Sequence, residues 1–387
     1  MGADPNSIED LRELAQRRLP RALFDYIDRG SYDELTWHRN RDDLRALQLR
    51  QRVMVDVSNL DTGVKVLGER WAFPLALAPT GLTGLFYPDG EILAARAAHA
   101  AGVPYCLSTM SICPLEEVRA AFPGTLWFQL YVMRDRGFTE AMIARAQQAG
   151  CRALVVTLDL PLQALRRRDP KNGLAVPPRL TLASAFDFAI RPAWLSGYLG
   201  SRHRTFGNLA TFFPRKGTAA LSEWMGSQLG SLTPDDLAWI RDRWPGKLVL
   251  KGIVDAEDAR MALEVGADAV VVSNHGGRQL DSSTSTIAAL PGVVEAVGDQ
   301  CEVLMDGGLS NGQDVLKSLA LGARGCFTGK AFLYGLSSRG EAGVTLALDI
   351  MRREFEISMA LCGVTRAQSI DSGILVDGPK NSGGGAG

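Results

Sequence analysis

Histidine is scarce in this chain, and what little there is lies scattered: His38, His99, His203 and His275, with no HExxH pair among them. No metal site is expected from that spacing. The six cysteines (Cys106, Cys113, Cys151, Cys301, Cys326 and Cys362) include no CxxC, and most sit beside apolar residues. They read as buried thiols of a reducing compartment. Charge of one sign is also missing: the formal net charge is −1, so nothing global argues for a nucleic-acid partner. No apolar run is long enough to span a bilayer. The opening Met1-Gly2-Ala3-Asp4-Pro5-Asn6 is polar and acidic, unlike a secretory signal. A cytoplasmic chain is expected.

What is present is a large apolar fraction. Of 387 residues, 46% are hydrophobic and 22% charged, which suits one large α/β barrel with extensions or two medium domains. Ser7 is a candidate N-cap, and residues 7–30 read as two short helices, the second starting at Pro20, carrying Leu23, Phe24 and Ile27 on one face and ending at Gly30. From Pro74, short apolar runs alternate with helical stretches. The runs are Leu75–Ala78, Tyr105–Ser108, Trp127–Val132, Ala153–Thr157, Leu248–Lys251, Ala269–Val272, Val303–Asp306 and Gly325–Thr328. The helices that follow are placed near 90–101, 115–121, 139–149, 256–265, 286–297, 314–321 and from Lys330 onward, with a long irregular insertion of about 170–232 after the fourth strand. Strand-then-helix repeats demand a parallel sheet covered by helices, and eight of them favour a closed (β/α)8 barrel. The alternative is a doubly wound sheet, but no GxGxxG follows the first strand.

A barrel places its active site at the C-terminal strand ends. Those ends carry Thr80-Gly81, Ser108, Gln129 and Tyr131, Thr157 and Asp159, Lys251, His275 and Asp306. The loop Ser273-Asn274-His275-Gly276-Gly277-Arg278-Gln279-Leu280-Asp281 combines a side chain that can accept a proton at neutral pH, His275, with a guanidinium able to grip a carboxylate, Arg278. Together they suggest an enzyme acting on a small carboxylic acid; a polar loop with a satisfied surface histidine is the plainer reading. The last two strand loops, Asp306-Gly307-Gly308-Leu309-Ser310-Asn311-Gly312 and Thr328-Gly329-Lys330, expose glycine backbone N–H groups and one cation, as a phosphate site would.

The insertion mixes aromatic and basic residues. Phe186, Phe188, Trp194, Tyr198, Phe206, Phe212 and Phe213 accompany Arg191, Arg202, Arg204, Arg215 and Lys216, with Asp187 the only acid between Ser184 and Gly217. The segment 184–217 fits a peripheral membrane contact; a substrate lid or an oligomer contact would use the same residues. Residues 1–378 are taken as one domain, and the Gly-rich 379–387 as a disordered tail.

The loop SNHGGRQLD, Pro79-Thr80-Gly81, Phe128–Val132 and Lys251-Gly252 together resemble the FMN-dependent (S)-2-hydroxy acid oxidase and dehydrogenase family, which includes glycolate oxidase, L-lactate dehydrogenases and mandelate dehydrogenase. The resemblance runs from about residue 7 to 375. The insertion, Leu107-Ser108-Thr109 and Arg134-Asp135-Arg136-Gly137-Phe138 look most like the bacterial membrane-associated, quinone-linked L-lactate dehydrogenases. The resemblance implies His275 as the base that takes a proton from the substrate, with Asp159 stabilising the imidazolium. It implies Arg166 and Arg278 as the carboxylate clamp, helped by Tyr26. Arg166 opens an Arg166-Arg167-Arg168 run, so the register is open by one. Tyr131 would bond the substrate oxygen, and Lys251 would stabilise negative charge on the reduced flavin. Thr80, Gly81, Ser108, Gln129, Thr157, Ser273, Asp306, Gly308, Ser310, Gly329 and Lys330 would line FMN. A homotetramer, and a quinone or similar electron acceptor, are further implications, with the inner face of the cytoplasmic membrane as a location.

The sequence departs from that pattern at two places. The family usually has arginine at the positions of Ser310 and Lys330, both on the FMN phosphate, so weaker FMN binding is expected. Gly81 stands where relatives that use oxygen well often carry alanine, which favours another acceptor. Met110 replaces a tryptophan of some short-chain oxidases and leaves substrate size open. A peroxide-forming soluble oxidase, or a flavin-binding homologue with little turnover, are the competing functions.

Overall fold

The computed structural model describes residues 4–172, 182–213 and 217–376. Ten strands are numbered in chain order. β1 (Val64–Val66) and β2 (Glu69–Trp71) form a hairpin, and β3 (Leu75–Leu77), β4 (Tyr105–Ser108), β5 (Leu126–Leu130), β6 (Ala153–Thr157), β7 (Lys247–Ile253), β8 (Ala269–Val272), β9 (Glu302–Met305) and β10 (Gly325–Thr328) form a closed parallel barrel. The ring shuts where β10 pairs with β3, Thr328 opposite Leu77. Nearly every barrel-strand residue is buried, because helices cover the outside while side chains fill the centre; continuous apolar runs rather than alternating ones are the outcome. The eight barrel strands are thus those expected, and the doubly wound alternative falls away. β5 stops at Leu130, so Tyr131 lies just past a strand end, as do Asp159, His275 and Asp306.

Three helices precede the barrel: α1 (Ile8–Arg18), α2 (Arg21–Asp28) and α3 (Leu35–Ala46). Ser7 and Asp10 close a reciprocal capping box at the start of α1, satisfying two backbone N–H groups that the helix itself leaves free. α3 and the β1–β2 hairpin are absent from the sequence-based assignment. α3 buries Thr36, Trp37, Asn40 and Leu44 at helical spacing, a half-polar stripe, and its N-cap Glu34 makes no side-chain cap. It therefore lacks both an apolar stripe and a start signal. The hairpin closes the far end of the barrel, where Trp71 packs edge-on against Trp127, which in turn meets Phe327.

The insertion was expected to be irregular and is largely helical where described, with helices at Leu182–Ala189, Pro192–Gly200, Gly207–Ala210 and Thr218–Gln228. Its aromatics divide. Trp194 and Phe206 are buried, and Trp194 stacks on Tyr198 and donates its Nε1–H to the Leu85 carbonyl. Phe188 and Phe213 pack partly against the core, whereas Phe186, Ile190 and Leu199 stay 66%, 50% and 58% exposed. Arg215, Lys216 and the 379–387 tail lie outside the described residues. All six cysteines are free and buried, and among the described residues no helix is long and apolar enough to cross a membrane.

Candidate active site

One cavity of about 800 Å³ occupies the C-terminal mouth of the barrel. That is within the usual range for a cofactor pocket. Among its lining residues are Tyr26, Thr80, Gly81, Ser108, Gln129, Tyr131, Thr157, Arg166, Lys251, His275, Arg278, Asp306, Gly308, Ser310, Gly329 and Lys330. Asp159 and Ser273 stand directly behind it: Asp159 Oδ1 is 3.0 Å from His275 Nδ1, and Ser273 Oγ accepts from Lys251 Nζ at 2.7 Å.

The loop after β8 owes its shape to its backbone. His275, Gly276 and Gly277 have successive φ of 59°, 67° and 75°. A side chain held in this left-handed region costs about 1–2 kcal/mol. At Gly277 no side chain fits, because a Cβ would come within 2.6 Å of the Trp37 backbone on α3. The loop swings His275 over the mouth while Asn274 anchors it, exchanging two 2.8 Å amide hydrogen bonds with Asn40 of α3.

The electrostatics are those of a site built for anions. Burial raises the Asp159 carboxyl pKa, but His275 and Lys251 outweigh burial and the net shift is downward. Burial pushes the Lys251 ammonium down, while Asp306, 2.9 Å away, and Asp159 more than restore it. Tyr131 is raised by burial and by the neighbouring Asp159, so its hydroxyl stays a donor. Arg278 is pushed down to about 10 by burial and then by Arg166. Both guanidiniums lean on the Tyr26 ring, at 4.7 Å and 5.3 Å from its centroid. Arg278 spends Nη1 on the Tyr26 and Arg29 carbonyls, and Arg166 Nε and Nη1 are buried with no hydrogen-bond partner. Of the three-arginine run, Arg166 is the residue that lines the cavity, with a side chain 10% exposed; Arg167 is 55% exposed and pairs with Asp33.

Around the cavity floor, polar strand-end groups pair with one another or wait for a partner. Ser108 Oγ donates to Gln129 Oε1 at 2.9 Å, Gln129 Nε2 donates to Thr157 Oγ1 at 3.0 Å, and Thr80 shares a 2.8 Å bond with Thr83. Thr328 Oγ1 and Asp306 Oδ1 are buried without partners. A polar, flat-sided heteroaromatic with a charged tail suits that inventory, so the residues fit FMN. The expected phosphate contacts differ from the sequence reading. The Ser310 amide and hydroxyl both donate to Asp314, and Lys330 Nζ donates to the Asp28 carbonyl at 2.9 Å. Both side chains thus have protein partners. Sequence reading also missed Arg41 and Arg45, which line the cavity from α3, and Ser222 and Met225, which line it from the insertion. Without α3 in the sequence-based assignment, nothing marked its arginines.

The sequence pattern described as FMN-dependent dehydrogenase matches residues 15–377. An L-lactate dehydrogenase of Caulobacter vibrioides is 50% identical over 379 residues, covering 96% of this chain and 98% of that one. An L-lactate dehydrogenase of Alcaligenes faecalis is 42% identical over 380 residues, covering 97% and 99%. Among solved structures, the monotopic membrane protein (S)-mandelate dehydrogenase superposes with a TM-score of 0.93 at 35% identity, covering 97% of this chain and 100% of that one. A mandelate oxidase superposes at 0.82 and 35%, covering 95% and 97%. The chain belongs to the FMN-dependent dehydrogenase family.

Proposed function

We propose that this FMN-dependent dehydrogenase oxidises an (S)-2-hydroxy acid of the L-lactate or mandelate kind to the 2-oxo acid and passes the electrons to a quinone or similar acceptor. One observation carries the substrate class: two buried guanidiniums, Arg166 and Arg278, flank Tyr26 beside His275, and Arg166 Nε and Nη1 make no hydrogen bond, Asp169 standing 3.8 Å from Nη1. A carboxylate with a neighbouring hydroxyl satisfies all of these groups at once. The names of the relatives point the same way.

Bound FMN supplies the two-electron acceptor. The protein's part is positioning and proton transfer. Arg166, Arg278 and Tyr26 hold the carboxylate. His275 Nδ1 is committed to Asp159, which leaves Nε2 as the nitrogen that takes the substrate proton. Asp159 stabilises the imidazolium so formed, and the Tyr131 hydroxyl donates to the substrate oxygen. Lys251, fixed by Asp306 and Ser273, holds positive charge at the cavity floor.

Gly81 supports an acceptor other than oxygen. It lines the cavity, and a Cβ there would lie 3.0 Å from Met110 Cβ. The exposed Phe186, Ile190 and Leu199, together with Arg202, 75% exposed though 3.7 Å from Glu117, support a peripheral membrane contact at the cytoplasmic face. The insertion also has a lid-like part, since Ser222 and Met225 line the cavity. The two roles would fall to different helices of one segment. A homotetramer remains part of the proposal through family membership, to be checked by sedimentation. Anaerobic flavin reduction across a panel of 2-hydroxy acids tests the substrate class: bleaching by L-lactate or (S)-mandelate is expected, and a flavin that stays oxidised with every acid overturns it. Reoxidation by oxygen at rates matching a soluble quinone overturns the acceptor.

A further inference from the structure

At the glycine-loop end of the cavity Ser310 carries no charge and its hydroxyl donates to Asp314, while Lys330 Nζ donates to the Asp28 carbonyl. The Lys330 ammonium is also pushed well down, by burial and then by Arg278. A dianionic phosphate there requires another positive group. α3 provides one. Its Asn40 is locked to Asn274 by paired amide bonds and accepts from the Thr286 N–H, and its C-terminal end is held where Lys317 Nζ donates to the Leu44 carbonyl at 2.8 Å. The packing is close: a Cβ on Gly308 would come within 2.5 Å of the Asn40 carbonyl oxygen. So the glycine loop after β9 and the middle turn of α3 meet backbone to backbone, and the next residue, Arg41, lines the cavity.

Arg41 is half-buried, and among the described residues no carboxylate lies within ion-pair distance of it. The nearby acids are engaged. The Asp28 carboxylate takes Arg12 and Tyr334, Glu354 takes the Gly312 N–H, and Arg45 pairs with Asp42. Arg41 instead leans on the Trp37 ring, 5.3 Å from its centroid, and Lys330 Nζ approaches the same ring at 4.8 Å. The Arg41 guanidinium and the Lys330 amine thus share one indole beside the glycine loop after β9.

We infer that Arg41 is an FMN-phosphate-binding residue, supplying the charge that Ser310 lacks, with Trp37 as the platform that holds it toward the glycine loop. The inference rests on FMN being the cofactor. Guanidinium–phosphate pairing is bidentate and charge-assisted, so a single such contact is worth about 10- to 100-fold in affinity.

The test compares FMN with riboflavin, which lacks the phosphate, by flavin fluorescence quenching on the full chain stripped of flavin. The wild type binds FMN more tightly than riboflavin. Arg41→Ala weakens FMN by about 10- to 100-fold and leaves riboflavin affinity within about twofold, which also shows that the cavity still folds. Arg41→Lys falls between. Ser310→Arg in the Arg41→Ala background recovers FMN affinity. An Arg41→Ala protein that keeps its preference for FMN, or that weakens both flavins alike, overturns the assignment of Arg41. A Ser310→Arg change that recovers nothing overturns the idea that the two positions serve one anion. A wild type that binds both flavins equally overturns the phosphate reading of this end of the cavity, independently of Arg41.

Discussion

Replacing Asp159 by asparagine removes a charge while keeping the shape, and the structure sets the size of the effect. The carboxylate stands 3.0 Å from His275 Nδ1, with the two side chains only 13% and 20% exposed. Two opposite unit charges at that distance in an effective dielectric of about 20 attract by roughly 5 kcal/mol, a ceiling rather than a net value. The amide oxygen of asparagine can still accept the Nδ1–H, so about half of that should survive as a hydrogen bond. A loss of about 2.5–3 kcal/mol in the transition state, where the imidazolium is forming, slows proton transfer by about 100-fold. Lys251 complicates the substitution only slightly, because Asp306 continues to hold it at 2.9 Å. The assay is single-turnover flavin reduction under anaerobic conditions, which separates the reduction rate from substrate affinity. Affinity should move by less than about threefold, since the carboxylate clamp is untouched. An Asp159→Asn protein that reduces its flavin within about threefold of wild type refutes the charge-stabilisation argument. So does one in which the whole loss appears as weaker substrate binding.

Arg166→Lys should weaken L-lactate or (S)-mandelate by about 10- to 100-fold in equilibrium binding to the oxidised enzyme, because an ammonium cannot make the paired contact; unchanged affinity would remove Arg166 from the clamp. The double change Phe186→Glu, Ile190→Glu should lower binding to anionic lipid vesicles by at least about tenfold, by sedimentation, while flavin reduction is unaffected. Vesicle binding that persists would place the contact elsewhere. Asp28→Asn should destabilise the fold by about 3–5 kcal/mol in urea at pH 7, since it removes the charge that pairs with Arg12 and turns an amide N–H toward Arg12 Nη2 where a carboxylate oxygen accepted. Burial raises the Asp28 pKa, but Arg12 and Tyr334 lower it further, so the net shift is downward. Its stabilisation is therefore present above the unfolded value near pH 4 and fades as pH falls through the lower folded value. Wild type and variant should converge in acid; a constant difference at all pH values would contradict this.

The barrel was legible because each strand is a short apolar run whose end changes abruptly to polar residues, as at Val272-Ser273 and Met305-Asp306. Those same ends supplied most of the site. What stayed hidden depends on partners far away in the chain. Thr36, Trp37 and Asn40 of α3 look like a polar stretch until the loop at 274–286 is placed against them, and Arg41 inherits that obscurity. Lys330 shows the converse. Its position in the last strand loop was clear, but its commitment to the Asp28 carbonyl could not be read from either segment alone. The insertion's aromatics carried two signals at once, Trp194 and Phe206 being buried and Phe186 exposed, and composition averages over both.

Asp28 also governs when the site comes into being. Its carbonyl and carboxylate are tied to Lys330 and Tyr334, residues 302 and 306 positions later in the chain. Tyr26 and Arg41 sit in the same early segment. At about 5–20 residues per second of synthesis, the first helices wait roughly 15–60 seconds for the strand loop that fixes them. During that interval most of the barrel wall is made while Asp28 still lacks Lys330 and Tyr334. A chain released before residue 330 would still hold α2 through Arg278 on the Tyr26 carbonyl, but without the Lys330 and Tyr334 contacts to Asp28, so the last barrel unit completes the seat of α2.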